Sequence, residues 1–291
     1  MPIIAPVVAL EFSQPGAEIF VPDASAVDAA LARTTHLAIA AHADDIEFFA
    51  WHGISACYGH RDRWFTGVVV TDGAGSPRTG RYADYTEVQM VAARRAEQRA
   101  AAVIGEYSAV VQLAHPSAAI KGVGNPAPLA ELTALLARMA PQIVYLHNPA
   151  DKHDTHIACF LRSLAALRTL PPERRPARVY GCEVWRDLDW LVGADKVALS
   201  AGDRPHLQAA LNGVFDTQIA GGKRYDLAVA GRRLANATFH DSHTVDAESG
   251  LTFAMDLTEL VRNDALDPIE FTLGHVQRLA DDIRSRFLRM G

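Results

Sequence analysis

Short continuous apolar runs alternate along this chain with longer stretches in which apolar residues recur every three or four positions. The runs are His36-Leu37-Ala38-Ile39-Ala40, Trp64 to Val70, Ala109 to Leu113, Ile143 to Leu146, Val179 to Trp185 and Lys196 to Ser200. Their length and flanks predict strands buried on both faces. Between them the pattern predicts helices: a short one over Ala26–Arg33 capped by Asp23 or Ser25, and one following Glu47 through Phe48, Trp51, Ile54 and Tyr58. Thr86 with Gln89 forms a capping box for a long helix to Ile104, stopped by Gly105. Further helices are expected over Pro128–Met139 and from Asp154 to about Leu167, the latter closed by Pro171-Pro172. The last third reads as mostly helical, about 206–215, 223–239 and 275–289. At the other end, Val7–Leu10 and Glu18–Val21, separated by Pro15-Gly16, are expected to form an added edge hairpin.

Strands alternating with helices imply βαβ units, right-handed crossovers and a parallel sheet. The expected fold class is therefore α/β, a Rossmann-like three-layer sandwich with a mostly parallel sheet plus C-terminal helices. No repeat, low-complexity tract or linker divides the chain, so 1–291 reads as one domain: an extension over 1–34, a core over about 35–245 and a C-terminal helical segment over 246–291.

Two polar clusters interrupt this apolar plan, and each follows a predicted strand. The first is His42-Ala43-Asp44-Asp45-Ile46-Glu47; the second is His147-Asn148-Pro149-Ala150-Asp151-Lys152-His153-Asp154-Thr155-His156. Adjacent carboxylates in a tight strand-to-helix turn are costly unless a cation compensates them. Ligands in parallel sheets bind at the carboxyl ends of the strands, so the two loops can converge there. A catalytic zinc site takes three N/O ligands and leaves one position open. His42 and Asp45, three apart in the turn, with His156 from the second loop, supply such a set. Asp44 points away from its neighbour and suits a general base toward water. His153, three residues before His156, is placed to stabilise a developing oxyanion, with Asp151 or Asp154 orienting it. The Gly-rich loop Asp72–Tyr82 is the candidate for substrate contacts through Arg78 and Arg81, alongside His147 and Asp151. Arg94, Arg95 and Glu97 read as a solvated or ion-paired helix face, while Trp185, Trp190 and Leu191 could wall a sugar cleft but more often form core.

The bulk numbers narrow the partners. A formal net charge of −6 disfavours nucleic acid and anionic membranes. The three cysteines fit no zinc ribbon and suit a reducing cytosol, no run is apolar enough to span a membrane, and the N-terminus lacks a basic n-region, so a cytoplasmic location is expected. Gly73 to Arg78 fails the dinucleotide pattern, and no Walker loop, nucleophile elbow or H-E-x-x-H helix occurs.

The first cluster resembles the H-P-D-D-x-E signature of the LmbE-like, or PIG-L, family of metal-dependent N-deacetylases, and His147 to His156 is similar to that family's H-x-P-x-D-x-H-x-x-H signature. Order, spacing and setting agree over roughly residues 35–245. Ala43 stands where the signature has proline, and Thr155 where it has aspartate, with Asp154 one place earlier. The resemblance implies zinc (ferrous iron as the alternative) on His42, Asp45 and His156, Asp44 as base, His153 at the oxyanion, and Glu47 supporting the turn. Through the resemblance alone, His243 joins the candidate substrate contacts, near where relatives contribute C-terminal site residues. It implies a small-molecule substrate, an N-acetylated amino sugar or glycoconjugate, and leaves a homo-oligomer open. A non-catalytic sugar-binding or regulatory protein on the same scaffold and a two-metal phosphoesterase remain as alternatives.

Overall fold

The computed structural model describes residues 10–122 and 124–291. One eight-stranded sheet runs through them, formed by β1 (Glu18–Phe20), β2 (His36–Ala40), β3 (Phe65–Thr71), β4 (Ala109–His115), β5 (Ile143–His147), β6 (Arg178–Cys182), β7 (Lys196–Ser200) and β8 (Leu251–Asp256). Its order is β1-β4-β3-β2-β5-β6-β8-β7, with β4 to β6 mutually parallel and β1, β8 and β7 joining by antiparallel pairs. The sheet is thus mostly parallel in its middle.

Alternation along each central strand sends successive side chains to opposite faces. Leu37, Ile39, Val68, Val70, Val144 and Leu146 enter one core with the Ala127–Arg138 and Asp154–Arg168 helices. Ala38, Ala40, Phe65, Val69, Val110 and Tyr145 enter the other, with Ile46, Phe49, Ala101, Ala102 and Leu211. Two cores on one sheet make three layers, and burial on both faces explains why these strands read as unbroken apolar runs.

The Thr86–Gln89 capping box forms as expected: Gln89 N–H donates to Thr86 Oγ1 at 3.3 Å, Thr86 N–H to Gln89 Oε1 at 2.9 Å, and the helix spans Glu87–Ile104. Three expectations need correction. The stretch after Asp44 is two helices, Asp45–Phe49 and Trp51–Cys57, because Ala50 leaves helical geometry at φ −102°, ψ 19°. The C-terminal segment is not all helical: β8 lies between β6 and β7. Leu251, Ala254 and Met255 are good helix formers, and only pairing with two waiting strands makes this run extended. The last helix begins at Pro268, seven residues before the predicted start, under the side chain of Asp267, which accepts from the N–H groups of Ile269 and Glu270. Of the predicted hairpin, Val7–Ala9 lies outside the described residues, while Glu18–Phe20 is an edge strand on β4. Among the described residues no helix is long and apolar enough to cross a membrane.

Candidate metal centre and cavity

The chain leaves β2, builds β3 and β4 on one side, then returns to place β5 on the other side of β2. The point where the strand order reverses is where open α/β sheets bind ligands. Both polar clusters issue from it, because β2 and β5 are hydrogen-bonded neighbours. Residues 105 positions apart in sequence, such as His42 and His147, are thereby forced together.

Local bonding fixes the first loop. Asp44 sits at φ 90°, a conformation that costs a non-glycine residue on the order of 1–3 kcal/mol and persists only where surroundings impose it. They do so here. Asp45 Oδ2 accepts from His42 N–H at 2.8 Å, Gln98 Oε1 accepts from Asp44 N–H at 3.2 Å, and Arg94 donates to the carbonyl of Ala43 at 2.6 Å. Gly67 on β3 has no side chain where Ile46 lands; a Cβ there would meet Ile46 Cδ1 at 2.7 Å. Glu47, wholly buried, accepts from Gln98 and from the Tyr107 hydroxyl, and burial pushes its carboxyl up to about 7.

Three donor atoms meet in a small triangle. His42 Nδ1 lies 3.2 Å from Asp45 Oδ2 and 3.2 Å from His156 Nε2, and His156 Nε2 lies 3.4 Å from Asp45 Oδ2. Ligands held at about 2.0–2.1 Å in a tetrahedron are about 3.3–3.4 Å apart, so the donor set and its spacing fit a divalent ion. His153 belongs to the same cluster: His42, His153 and His156 form one group of atoms within 4.8 Å, and Asp45, His147 and His156 another. Both groups share His156, so among the described residues they offer one centre rather than two.

His147 and Asp151 occupy different places from those expected of substrate contacts. His147 is wholly buried under the triangle, its ring stacked on His156 at 3.9 Å. Its Nε2 accepts from Ala41 N–H at 2.9 Å, so that lone pair is occupied and ties the end of β5 to the end of β2. Asp151 is buried too, and its Oδ2 lies 3.1 Å from His156 Nδ1, leaving Nε2 free for a cation. A carboxylate behind a ligating histidine fixes its tautomer and raises its basicity. Asp151 also accepts from the backbone N–H of His153 at 3.2 Å but not from its ring, and Asp154 is exposed. His153 Nδ1 is buried without a partner.

The electrostatics are those of a negative cradle. Burial opposes ionisation of Asp45, but His156, His42 and His147 outweigh it and hold the carboxyl well below the usual range. Burial likewise works against charge on His156, yet Asp45 and Asp151 push it up to about 9. Asp44 moves the other way: burial, opposed by Arg94 and reinforced by Asp45 and Glu47, raises its carboxyl well above the ordinary value. That is the direction a proton acceptor working near neutrality requires. Burial, His156 and His42 lower His153, favouring the neutral ring.

Above this floor opens a cavity of about 560 Å³ that His42, Asp44, Asp45 and His153 line from below. Its walls include Ser76 and Pro77 from the loop after β3, Trp185 after β6, and Lys223, Tyr225 and Arg232 from the segment around the Tyr225–Phe239 helix. Lys223 Nζ lies 5.3 Å from the Trp185 ring centre. Arg78 and Arg81 do not line it. Arg78 donates to its own loop at Ala74 O, 2.8 Å, and the exposed Arg81 pairs with Asp216. Acceptors close at hand, Ala74 O for Arg78 and Asp216 for Arg81, hold both guanidinium groups outside the opening. His243 is exposed, in a stretch from 238 to 249 exposed throughout. Leu191 is core, and Trp190, half-buried, packs against that core rather than lining the cavity.

Arg94 departs from a solvated face. It is 5% exposed, lies 3.5 Å from Asp44 Oδ2, and bonds Ser76 as well as Ala43. With Met90, Gln98, Ala101 and Ala102 it forms the buried stripe of its helix. The signal was present: positions 90, 94, 98 and 101 fall on one helical face that begins with methionine and ends with alanine.

A three-layer α/β fold with a histidine–carboxylate donor cluster at its topological switch point defines the class. Residues 37–167, which carry both clusters, match the family model PIG-L, described as GlcNAc-PI de-N-acetylase. No curated protein matches the chain. Solved structures with the same fold include the 4-carboxy-2-hydroxymuconate hydratase GalB of Pseudomonas putida KT2440, at 18% identity, TM-score 0.55, covering 77% of this chain and 95% of that one. The N,N'-diacetylchitobiose deacetylase of Pyrococcus horikoshii is similar at 14% identity, TM-score 0.56, covering 76% of this chain and 83% of that one. The zinc-inhibited form of the teicoplanin deacetylase Orf2 is similar at 15% identity, TM-score 0.52, covering 76% and 97%.

Proposed function

We propose that this chain is a metal-dependent amide hydrolase that removes the N-acetyl group of an amino sugar or glycoconjugate. The observation that carries the reading is the triangle of His42, Asp45 and His156 at the base of a cavity into which the neighbouring carboxyl of Asp44 also opens. A divalent ion on those three residues, zinc or ferrous iron, would supply Lewis-acid polarisation and make water acidic enough to lose a proton near neutral pH. Asp44 takes the proton from the attacking water as it adds to the amide carbonyl, and delivers it to the departing amine when the C–N bond breaks. Arg94, beside Asp44, holds that carboxyl toward the cavity. His153, as a neutral ring, donates a hydrogen bond to the carbonyl oxygen as charge gathers on it. Asp151 and His147 keep His156 in position. Trp185 and Tyr225 offer aromatic faces on which a sugar ring stacks.

The match to the de-N-acetylase family and the deacetylases among the structural neighbours support the acetamide as the bond cut. The three buried, unpaired cysteines suit a cytoplasmic setting. A second reading is favoured by Lys121, Lys223 and Arg232 on the cavity wall and by the hydratase neighbour: addition of water to an unsaturated carboxylate, with the same aspartate moving the proton. An acetate-release screen over N-acetylated amino sugars, run with metal-quantified protein beside an assay for hydration of unsaturated dicarboxylates, separates the two. Acetate release supports the deacetylase; water addition without acetate release overturns it.

A further inference from the structure

The helix Pro268–Met290 carries two apolar stripes, and only one is used by the protomer. Phe271 and Leu279 turn toward the body, Phe271 packs against the core, and His275 Nδ1 lies 3.1 Å from Asp195 Oδ2. The other stripe is Ile269, Leu273, Val276, Ala280, Ile283, Phe287 and Met290, and every member is exposed, six of them by 45% (Val276) to 86% (Met290). The steps along it are four, three, four, three, four and three residues. That 3.5-residue period over three heptads is the signature of a seam against a second helix, whereas an ordinary solvated helix face is polar.

We propose that this seam is the contact of an antiparallel coiled coil formed with a second copy of the chain. The charges beside the seam choose the partner and its direction. If two copies run antiparallel so that Ile269 meets Phe287 of the partner subunit and Leu273 meets Ile283 of the partner subunit, the flanking Glu270 falls opposite Arg284 of the partner subunit. Two-fold symmetry makes that opposite-sign pair twice. Run in parallel, the copies bring Arg284, Arg286 and Arg289 against the same three arginines and gain no opposite-sign pair. The interface is isologous, lies on the last helix rather than at the cavity, and does not depend on the reaction catalysed.

The test is sedimentation equilibrium of the full chain from about 1 to 100 μM. The wild type is expected to be a dimer whose thermal unfolding midpoint rises with concentration, and Ile283→Glu with Phe287→Glu a folded monomer whose midpoint does not, since both side chains are exposed in the protomer. Glu270→Arg or Arg284→Glu alone should weaken the dimer about ten-fold, through two like-charge contacts each, and the two together should restore it. Spin labels on Arg289→Cys should lie about 33 Å apart along the coil axis, from 22 residues of offset at 1.5 Å each. A monomer at 100 μM, a dimer indifferent to the seam variants, a label separation under about 20 Å, or a monomer that instead co-sediments with phosphatidylserine vesicles would each overturn the proposal.

Discussion

The floor of the cavity and its outer wall are built in opposite ways. The floor comes from two adjoining strand ends, and its polar side chains hold one another: Asp151 holds His156, His147 pins the two strands together, and Gln98 and Tyr107 hold Glu47. The wall is assembled from four separate segments around Ser76, Lys121, Trp185 and Tyr225, with Trp185, Lys223 and Arg232 half-buried. A preorganised floor can serve one chemistry in many relatives, while a wall of distant, partly exposed residues can change what is admitted.

Variants should separate the two. The largest effect belongs to Asp44→Asn, expected to lower kcat by about 10³-fold or more with metal content unchanged, since a missing proton acceptor costs about 10²–10⁴-fold and the amide fills the same space. Steady-state turnover beside elemental analysis reads both; turnover near wild type would remove Asp44 from the mechanism. Glu47→Gln tests the floor as structure. A carboxyl raised to about 7 in the fold, from an ordinary 4.5, binds its proton more tightly folded than unfolded. Wild-type stability is therefore expected to fall as pH rises from about 4.5 to 7 and then level off, by about 3 kcal/mol from this group. The glutamine variant lacks that slope, and the difference between the two unfolding curves across pH is the readout. Asp151→Asn should weaken metal binding by about 10- to 100-fold while leaving the fold intact, measured by chelator competition. The smallest effect is on the wall: Trp185→Ala should raise KM about ten-fold for a sugar substrate with little change in kcat, and a kcat loss instead would move Trp185 to the chemistry.

The sequence made the floor legible because its residues are contiguous within two short clusters and follow apolar runs whose length alone marks strands. The ends of β2 and β5 could be placed together by topology before any distance was known. Arg94 was harder, since an arginine among arginines and glutamates on a long helix looks solvated until the buried stripe through Met90 and Gln98 is counted. β8 was hidden for another reason: Leu251, Ala254 and Met255 carry no strand preference, and the strand partners that make this run extended lie 72 to 76 positions upstream on β6 and 51 to 59 on β7. Among the wall residues, Trp185 and the loop around Ser76 were legible as candidates, but the segment from Lys223 to Arg232 had no local signal at all. Lys223, Tyr225 and Arg232 face the cavity only because the Tyr225–Phe239 helix packs beside β8 and carries them over the opening.

The account stands on one divalent ion gripped by side chains from both strand ends. Quantifying bound metal per chain in the wild type and in His42→Ala and His156→Ala tests this most directly. One ion per chain, lost from both variants while their far-ultraviolet spectra stay unchanged, is the predicted result. Two ions per chain, or one that survives removal of either histidine, would contradict it.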